Sequence, residues 1–167
     1  MIVETIITLV TLLGGLNLPL NFTAEQREIT TEIIKQANLL GEDPYGLVAI
    51  AYQETKIRRN QTSDTGDIGI FQIHWKFWGR RWGYKSRKVF RKDMDNPTHG
   101  TVAAIMVLRE MRLYKTCRGT HLYACYNGGP AWMKSKNIKK IKSYARRVEK
   151  YRRRFLRNHP GWRKLQR

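Results

Sequence analysis

The chain has 167 residues, enough for one domain with its own hydrophobic core, and a hydrophobic fraction of 41% excludes wholesale disorder. Its 32 basic and 13 acidic residues give a net charge of +19. Such a charge favours polyanionic partners, including nucleic acid, anionic lipid and bacterial cell walls, and does not by itself choose among them.

The first twenty residues, MIVETIITLVTLLGGLNLPL, are mostly apolar. Glu4 lies where a secretory signal carries positive charge, and the length is marginal for spanning a bilayer. We expect residues 1–20 to form an apolar N-terminal segment that serves as a membrane anchor, an export signal or a packed helix. A single domain then occupies residues 21–167.

Two helices with clear start signals open this domain. Thr23 and Gln26 form a capping-box pattern that predicts a helix over residues 24–40. Asp43 at the cap position and proline at the first helical position predict a second helix, from Pro44 to Arg58.

The rest of the chain also favours helices. Closely spaced turn residues predict an irregular loop over residues 60–69, and Asn96 followed by proline starts another helix. A helical segment around His121–Cys125 is broken by an Asn-Gly-Gly-Pro run, and a basic helix begins near Lys134. No alternating strand pattern is present, so we predict a mainly α fold.

The two cysteines, Cys117 and Cys125, lie eight residues apart with no zinc-ligand spacing around them. A structural metal is therefore not expected. Their state stays open between one disulfide in an exported protein and two buried thiols.

Glu54 is a candidate general acid. Leu47, Ile50, Glu54 and Ile57 fall on one face of the predicted second helix, which places a carboxyl group on an apolar stripe near the helix C-terminus. Burial and the negative end of the helix dipole both raise the pKa of a carboxyl group, which keeps it protonated near neutral pH. The alternative is a structural Glu that reaches into water from the edge of the buried face.

The residues after Glu54 carry a family resemblance. Ser63, Gly66, Gly69 and Gln72 follow it at +9, +12, +15 and +18. This register resembles the soluble lytic transglycosylases, which together with goose-type lysozymes are members of the lysozyme-like superfamily. Three later motifs agree in order, namely Asn96-Pro97, Cys125-Tyr126-Asn127-Gly128-Gly129 and Tyr144-Ala145-Arg146-Arg147-Val148.

The resemblance implies a lysozyme-like helical domain with an active-site groove, filling residues 21–167 and ending in the basic helix. It implies cleavage of the β-1,4 bond between N-acetylmuramic acid and N-acetylglucosamine in peptidoglycan, with a 1,6-anhydro product and without cofactor or metal. Glu54 would be the catalytic acid, and Gly66 and Gly69 would let the backbone approach the sugar. The implied substrate-binding residues are Ser63, Gln72, Tyr126, Asn127 and Tyr144.

Asp67 departs from the transglycosylase pattern. The run from Asp67 to Ile73 also resembles an Asp-Tyr-Gly-x-x-Gln-Ile segment of animal-type lysozymes, in which the aspartate is the second carboxylate. The alternative function is therefore a muramidase that hydrolyses the same bond with Glu54 and Asp67. Asp67 is otherwise a turn residue that holds the loop through backbone amides.

Aromatic and basic residues are interleaved after Gln72, with Trp75, Phe77, Trp78, Trp82 and Tyr84 as the aromatic members. They suit sugar stacking, a satellite hydrophobic cluster or, as a further alternative, a non-enzymatic nucleic-acid-binding module.

Residues 134–167 hold fifteen Lys or Arg and one acid. We expect this run to bind anionic envelope polymers or lipids rather than specific nucleic acid. The protein would then work in the cell envelope, the periplasm or the extracellular space. A bacteriophage protein for lysis or entry is included in this expectation.

Overall fold

The computed structural model describes residues 21–158, which are mainly α-helical as the sequence predicts. The first half contains α1 (Ala24–Leu39), α2 (Pro44–Thr55), β1 (Asp67–Ile68), β2 (Ile73–His74) and a π-helical turn at Trp75–Gly79. The second half contains α3 (Arg87–Asp95), α4 (Pro97–Arg112), α5 (Leu122–Gly128) and α6 (Ile138–Arg157), with 3-10 turns at Lys115–Cys117, Gly119–His121 and Trp132–Lys134. The predicted apolar segment 1–20 and residues 159–167 lie outside the described residues.

The helix starts predicted at Thr23, Asp43 and Asn96 are confirmed because local capping groups satisfy free N–H groups of each first turn. The Thr23 hydroxyl accepts from the Gln26 N–H at 3.2 Å, and the Gln26 side chain accepts from the Thr23 N–H at 2.8 Å. The Asp43 carboxylate caps α2 by accepting from the Tyr45 N–H at 3.1 Å. The Asn96 side chain caps α4 and accepts two backbone N–H groups. The basic helix begins at Ile138, four residues after its predicted start near Lys134, because a 3-10 turn ends at Lys134.

The end of α2 differs from the prediction. The helix was expected to continue to Arg58, but it ends at Thr55 because Lys56 and Ile57 both adopt left-handed backbone angles, with φ of 56° and 57°. The Gln26 side chain donates to the Lys56 carbonyl at 2.8 Å and so ties this turn to α1. Ile57 is still fully buried, but it reaches the core from the turn rather than from the helical stripe.

Two further elements were missed. The strands contain two residues each and pair Asp67 with His74 and Ile68 with Ile73, which is too short for an alternating pattern to be visible in the sequence. The predicted loop over residues 60–69 therefore ends in regular structure. Helix α3 was missed because only Phe90 and Met94 of its nine residues are buried.

The core is centred on α2, whose residues from Pro44 to Ala51 are all buried. Helices α1 and α6 pack against it, and α6 contributes Ile141, Tyr144, Val148 and Phe155 to the contact. Within residues 21–158, no helix combines the length and apolarity needed to cross a membrane.

The cysteine question is answered by a disulfide between Cys117 and Cys125. Both residues are buried, and the bond links the 3-10 turn after α4 to the middle of α5. The disulfide thereby fixes the helix that carries the predicted Tyr-Asn motif.

Candidate active site

A cleft of about 560 Å³ lies where the end of α2, the hairpin, the π-helical turn, α4 and α5 meet. It brings together residues that are up to 76 positions apart in the sequence, from Glu54 to Pro130. The predicted residues that line it are Glu54, Ser63, Asp67, Gln72, Tyr126 and Asn127. Tyr144 is buried behind Glu54 instead of lining the cleft.

Glu54 is half-buried in the last turn of α2, and its Oε1 atom accepts a hydrogen bond from the Tyr144 hydroxyl at 2.6 Å. Burial raises the pKa of Glu54 to about 7. The Tyr144 hydrogen bond lowers this pKa, and the negative charge of Asp67 raises it. A substantial fraction of Glu54 is therefore protonated near neutral pH, as a general acid requires.

Two tyrosines, the buried Tyr144 and the partly buried Tyr126, support the floor of the cleft. Tyr144 comes from α6 and reaches Glu54, while the Tyr126 hydroxyl, from α5, donates to the Phe71 carbonyl at 2.8 Å. Burial and the charge of Glu54 raise the pKa of both phenols well above the usual value. Both hydroxyls therefore remain protonated and act as donors, one to the acid and the other to the backbone next to Gln72.

Thr55 fixes the position of Glu54 relative to the hairpin. Its buried hydroxyl donates to the Ile70 carbonyl at 2.9 Å, which connects the end of α2 to the segment before Gln72.

Asp67 holds the loop through side-chain hydroxyls, not through the backbone amides that were expected. Its Oδ2 atom accepts from Ser63 Oγ at 2.8 Å and from Thr65 Oγ1 at 2.6 Å. Ser63 Oγ in turn accepts the Asp67 N–H at 3.0 Å. Within residues 21–158, Asp67 Oδ1 accepts no hydrogen bond, so that oxygen is left for the cleft.

The two loop glycines have different roles. Gly69 has a φ of 79°, and a Cβ atom there would lie 2.3 Å from the Met94 carbonyl oxygen. The expectation that Gly69 lets the backbone approach sugar is therefore wrong, because Gly69 is buried against α3. Gly66 has a φ of 98° with no atom within 4 Å of a Cβ, so its positive φ is the requirement seen here, and its approach to sugar stays a prediction.

Gln72 and Asn127 provide amide groups that line the cleft. The Gln72 backbone has a φ of 50°, and its Nε2 donates to the Gly69 carbonyl at 2.9 Å, which leaves its amide oxygen as an acceptor. Asn127 is exposed at the end of α5 and makes no side-chain hydrogen bond within the described part of the chain. Both amides can therefore meet N-acetyl and hydroxyl groups of a sugar.

The aromatic cluster divides between core and cleft. Trp75 and Tyr84 pack on Phe90, with ring centroids 5.3 and 5.0 Å apart. Phe77, which is 55% exposed, and Trp78 line the cleft. The satellite-cluster interpretation holds for most of these rings, and sugar contact by Phe77 and Trp78 stays a prediction.

A further wall of the cleft was not predicted from the sequence: α4 contributes Glu110 and Met111, and Tyr114 follows just after the end of that helix. Glu110 forms an ion pair with Arg81, whose guanidinium lies 5.7 Å from the Trp78 ring centre. Helical periodicity marks Met111 as inward-facing, but it does not distinguish a side chain in a cleft from one in a core.

Among residues 21–158, no three His, Cys, Asp or Glu side chains converge as a metal site. A family model described as the transglycosylase SLT domain matches residues 32–149, and no curated protein matches the chain. The matched range includes every predicted cleft residue. Because the match covers well over half of the sequence, the chain belongs to the transglycosylase SLT domain family, whose lysozyme-like members act on peptidoglycan.

Proposed function

We propose that the protein is a lytic transglycosylase that cleaves the β-1,4 bond between N-acetylmuramic acid and N-acetylglucosamine. The observation that carries this proposal is the unequal state of the two carboxyl groups in the cleft. Glu54 has a pKa of about 7 and faces the cleft, whereas Asp67 is engaged by the hydroxyls of Ser63 and Thr65. One carboxyl group is sufficient for an intramolecular transfer.

In this mechanism protonated Glu54 donates its proton to the glycosidic oxygen, and the bond from the muramic acid C1 to that oxygen breaks. The leaving N-acetylglucosamine takes the proton as its new hydroxyl group. The resulting Glu54 carboxylate accepts the proton of the muramic acid 6-hydroxyl as its oxygen bonds to C1. The 1,6-anhydro ring closes, Glu54 is protonated again, and no water is consumed.

The surrounding side chains have distinct proposed roles. Tyr144 is a positioning residue that holds Glu54, while Ser63, Gln72, Tyr126 and Asn127 form the sugar-binding surface. We infer that the enzyme works in the cell envelope, in the periplasm or outside the cell, as a bacterial or bacteriophage protein that residues 1–20 export or anchor. The disulfide agrees with an oxidising compartment.

A muramidase is the second candidate, and a specific observation favours it. Asp67 lies in the same cleft as Glu54 and raises its pKa, and one Asp67 oxygen accepts no hydrogen bond within residues 21–158. Such a carboxylate could serve as nucleophile or as base for a water. Hydrolysis by Glu54 and Asp67 therefore stays an alternative prediction. A nucleic-acid-binding module loses support because most of its proposed aromatic platform is packed in the core.

Product analysis tests the proposal. Purified sacculi are digested, and the released muropeptides are examined by mass spectrometry before any reduction step. A transglycosylase leaves 1,6-anhydromuramic acid ends, which are lighter by one water than the ends left by a hydrolase. We expect anhydro ends. Reducing ends as the main product would establish the muramidase instead.

The role of Glu54 is tested separately with Glu54→Gln. This change removes the proton and keeps the shape, so we expect loss of at least about a thousandfold in the rate of muropeptide release with an unchanged thermal unfolding midpoint. Asp64→Asn, at an exposed loop position, is the matched control and should retain activity. A lytic rate near that of the control would rule out Glu54 as the acid.

A further inference from the structure

A second concave surface lies on the outer face of α6, away from the cleft. It is a groove of about 960 Å³ between α6 and the segment from Thr120 to Trp132. Five cationic side chains from α6 line it, namely Lys142, Arg146, Lys150, Arg153 and Arg157. We call this surface the basic groove.

Most of the charge in the basic groove is not neutralised by the described residues, 21–158. Its one carboxylate, Glu149, forms ion pairs with Arg153 at 2.8 Å and Arg152 at 3.6 Å. Lys142, Arg146, Lys150 and Arg157 have no ion pair within residues 21–158. Four free positive charges therefore remain along one side of the helix.

The spacing of these charges is regular. Lys142, Arg146 and Lys150 follow one another at four-residue intervals, which places them about 6 Å apart along the helix axis. Like charges at this spacing repel each other and destabilise an isolated helix. A ligand with negative groups at similar intervals would relieve that repulsion.

The basic groove is separate from the catalytic cleft. Tyr144, which bonds Glu54, lies two positions from both Lys142 and Arg146, and residues two apart on an α-helix point to nearly opposite sides. A polymer held in the groove therefore leaves the cleft open. The same helix would connect attachment on one face with catalysis on the other.

We propose that the basic groove binds a phosphate-bearing polymer of the cell envelope, a polyol-phosphate chain of the teichoic-acid type. This rests on the proposed function only for the choice of the cell envelope. A chain fits a groove, whereas a flat bilayer needs a convex surface with apolar side chains that can insert. Single-stranded nucleic acid needs exposed aromatic platforms, and the tryptophan of this groove, Trp132, is only 3% exposed.

The test uses the full-length chain and a fluorescent poly(glycerol phosphate) as probe. The groove variant combines Lys142→Gln, Arg146→Gln and Lys150→Gln, and the control variant removes the same charge from exposed positions on α3 by Arg87→Gln, Lys88→Gln and Lys92→Gln. We expect the groove variant to lose at least about tenfold in affinity for the probe. The slope of log affinity against log salt concentration should fall in magnitude by about 2, and both effects should be much smaller in the control. Equal losses in both variants would overturn the proposal.

A second variant keeps the positive charge of the basic groove and fills part of its volume. Ala145→Trp adds bulk beside the groove, at a partly exposed position, and should weaken probe binding if the chain lies within it. Unchanged binding would overturn the proposal, as would tighter groove-dependent binding of phosphatidylglycerol vesicles or of an oligonucleotide of equal charge. Binding improved by deletion of residues 159–167 would show that the chain's own end occupies the groove and would also overturn it.

Cleavage is measured in parallel on short soluble glycan fragments. All groove variants should retain the wild-type rate on these fragments, because the fragments bind in the cleft alone. A wild-type protein that cleaves no glycan but binds the probe through the groove would refute the proposed function and leave the groove proposal intact. The two proposals therefore fail independently.

Discussion

At the scale of single residues, the pKa of Glu54 depends on three competing influences. Burial raises it, the Tyr144 hydroxyl lowers it by donating to the carboxylate, and the charge of Asp67 raises it again. With a pKa near 7, Glu54 can adopt both of the protonation states that a transglycosylase uses in one turnover. Removing either neighbour shifts the pKa in a direction that can be measured.

Tyr144→Phe should move the alkaline limb of the pH–rate profile to higher pH. The rate falls where Glu54 loses its proton, near pH 7 in the native protein, and loss of the hydrogen bond that favours the carboxylate raises that pKa. Lysis rates measured from pH 5 to 9 give the limb directly. Tyr126→Phe is the control, because its hydroxyl bonds Phe71 and not Glu54. A limb that moves downward in Tyr144→Phe would contradict this account.

Asp67→Asn should reduce the rate by less than about tenfold if Glu54 acts alone. The change weakens the bonds from Ser63 and Thr65, so we expect stability to fall by about 1 kcal/mol. It also removes a negative charge near Glu54, so the alkaline limb should move to lower pH. A rate loss of about a thousandfold or more, with normal stability, would instead identify Asp67 as the second carboxylate.

At the scale of elements, the site depends on how the hairpin is held between α2 and α3. The Thr55 hydroxyl bonds the hairpin on one side, and the Met94 carbonyl accepts the Ile70 N–H at 3.3 Å on the other. Gly69 must be small because it lies against that same carbonyl. The position of the segment that brings Gln72 into the cleft with Glu54 is therefore set by contacts on both sides of the hairpin.

Gly69→Ala should destabilise the protein by about 2 to 5 kcal/mol, since it adds a clash with backbone to an unfavourable φ. Gly66→Ala is the matched control, because its φ is equally unsuited to alanine but a Cβ meets nothing within 4 Å. It should cost only about 1 to 2 kcal/mol. Urea unfolding measures both, and equal losses would show that the contact with Met94 does not matter.

At the scale of the whole molecule, ion pairs within the protein neutralise many of its acidic side chains. Glu25 and Glu28 pair with Arg59, Glu42 pairs with Arg112, and Asp43 pairs with Arg152. These contacts connect the acidic N-terminal part of the domain to its basic remainder. The surface that remains is strongly positive, and α6 carries the densest part of it.

Salt should therefore separate two activities. Exposed charges are screened over about 8 Å at physiological ionic strength, so added sodium chloride should weaken association with intact walls and slow their lysis. Cleavage of short soluble glycan fragments in the cleft should change much less over the same range, because each fragment carries few charges. Turbidity loss of wall suspensions and chromatography of fragment digests measure the two rates. Equal sensitivity to salt would show that surface capture does not limit lysis.

The sequence alone determined the local features of this protein. Helix starts at Thr23, Asp43 and Asn96 were predictable because a capping side chain bonds N–H groups two or three residues away. The spacing of Ser63 and Gln72 from Glu54 identified the family and predicted most of the cleft. The basic character of the C-terminal helix was visible from composition.

Tertiary structure decided what depends on distant neighbours. Tyr144, which donates a hydrogen bond to Glu54 and lowers its pKa, is 90 residues away, and no local rule shows that the two side chains meet. The early end of α2 depends on the turn at Lys56 and its contact with Gln26, and the wall from α4 depends on packing. Ion pairs between distant residues, such as Asp43 with Arg152 across 109 positions, decide which basic side chains are left without an acidic partner. Local sequence fixes hydrogen bonds within a turn, whereas burial and charge pairing arise only when the chain folds back on itself.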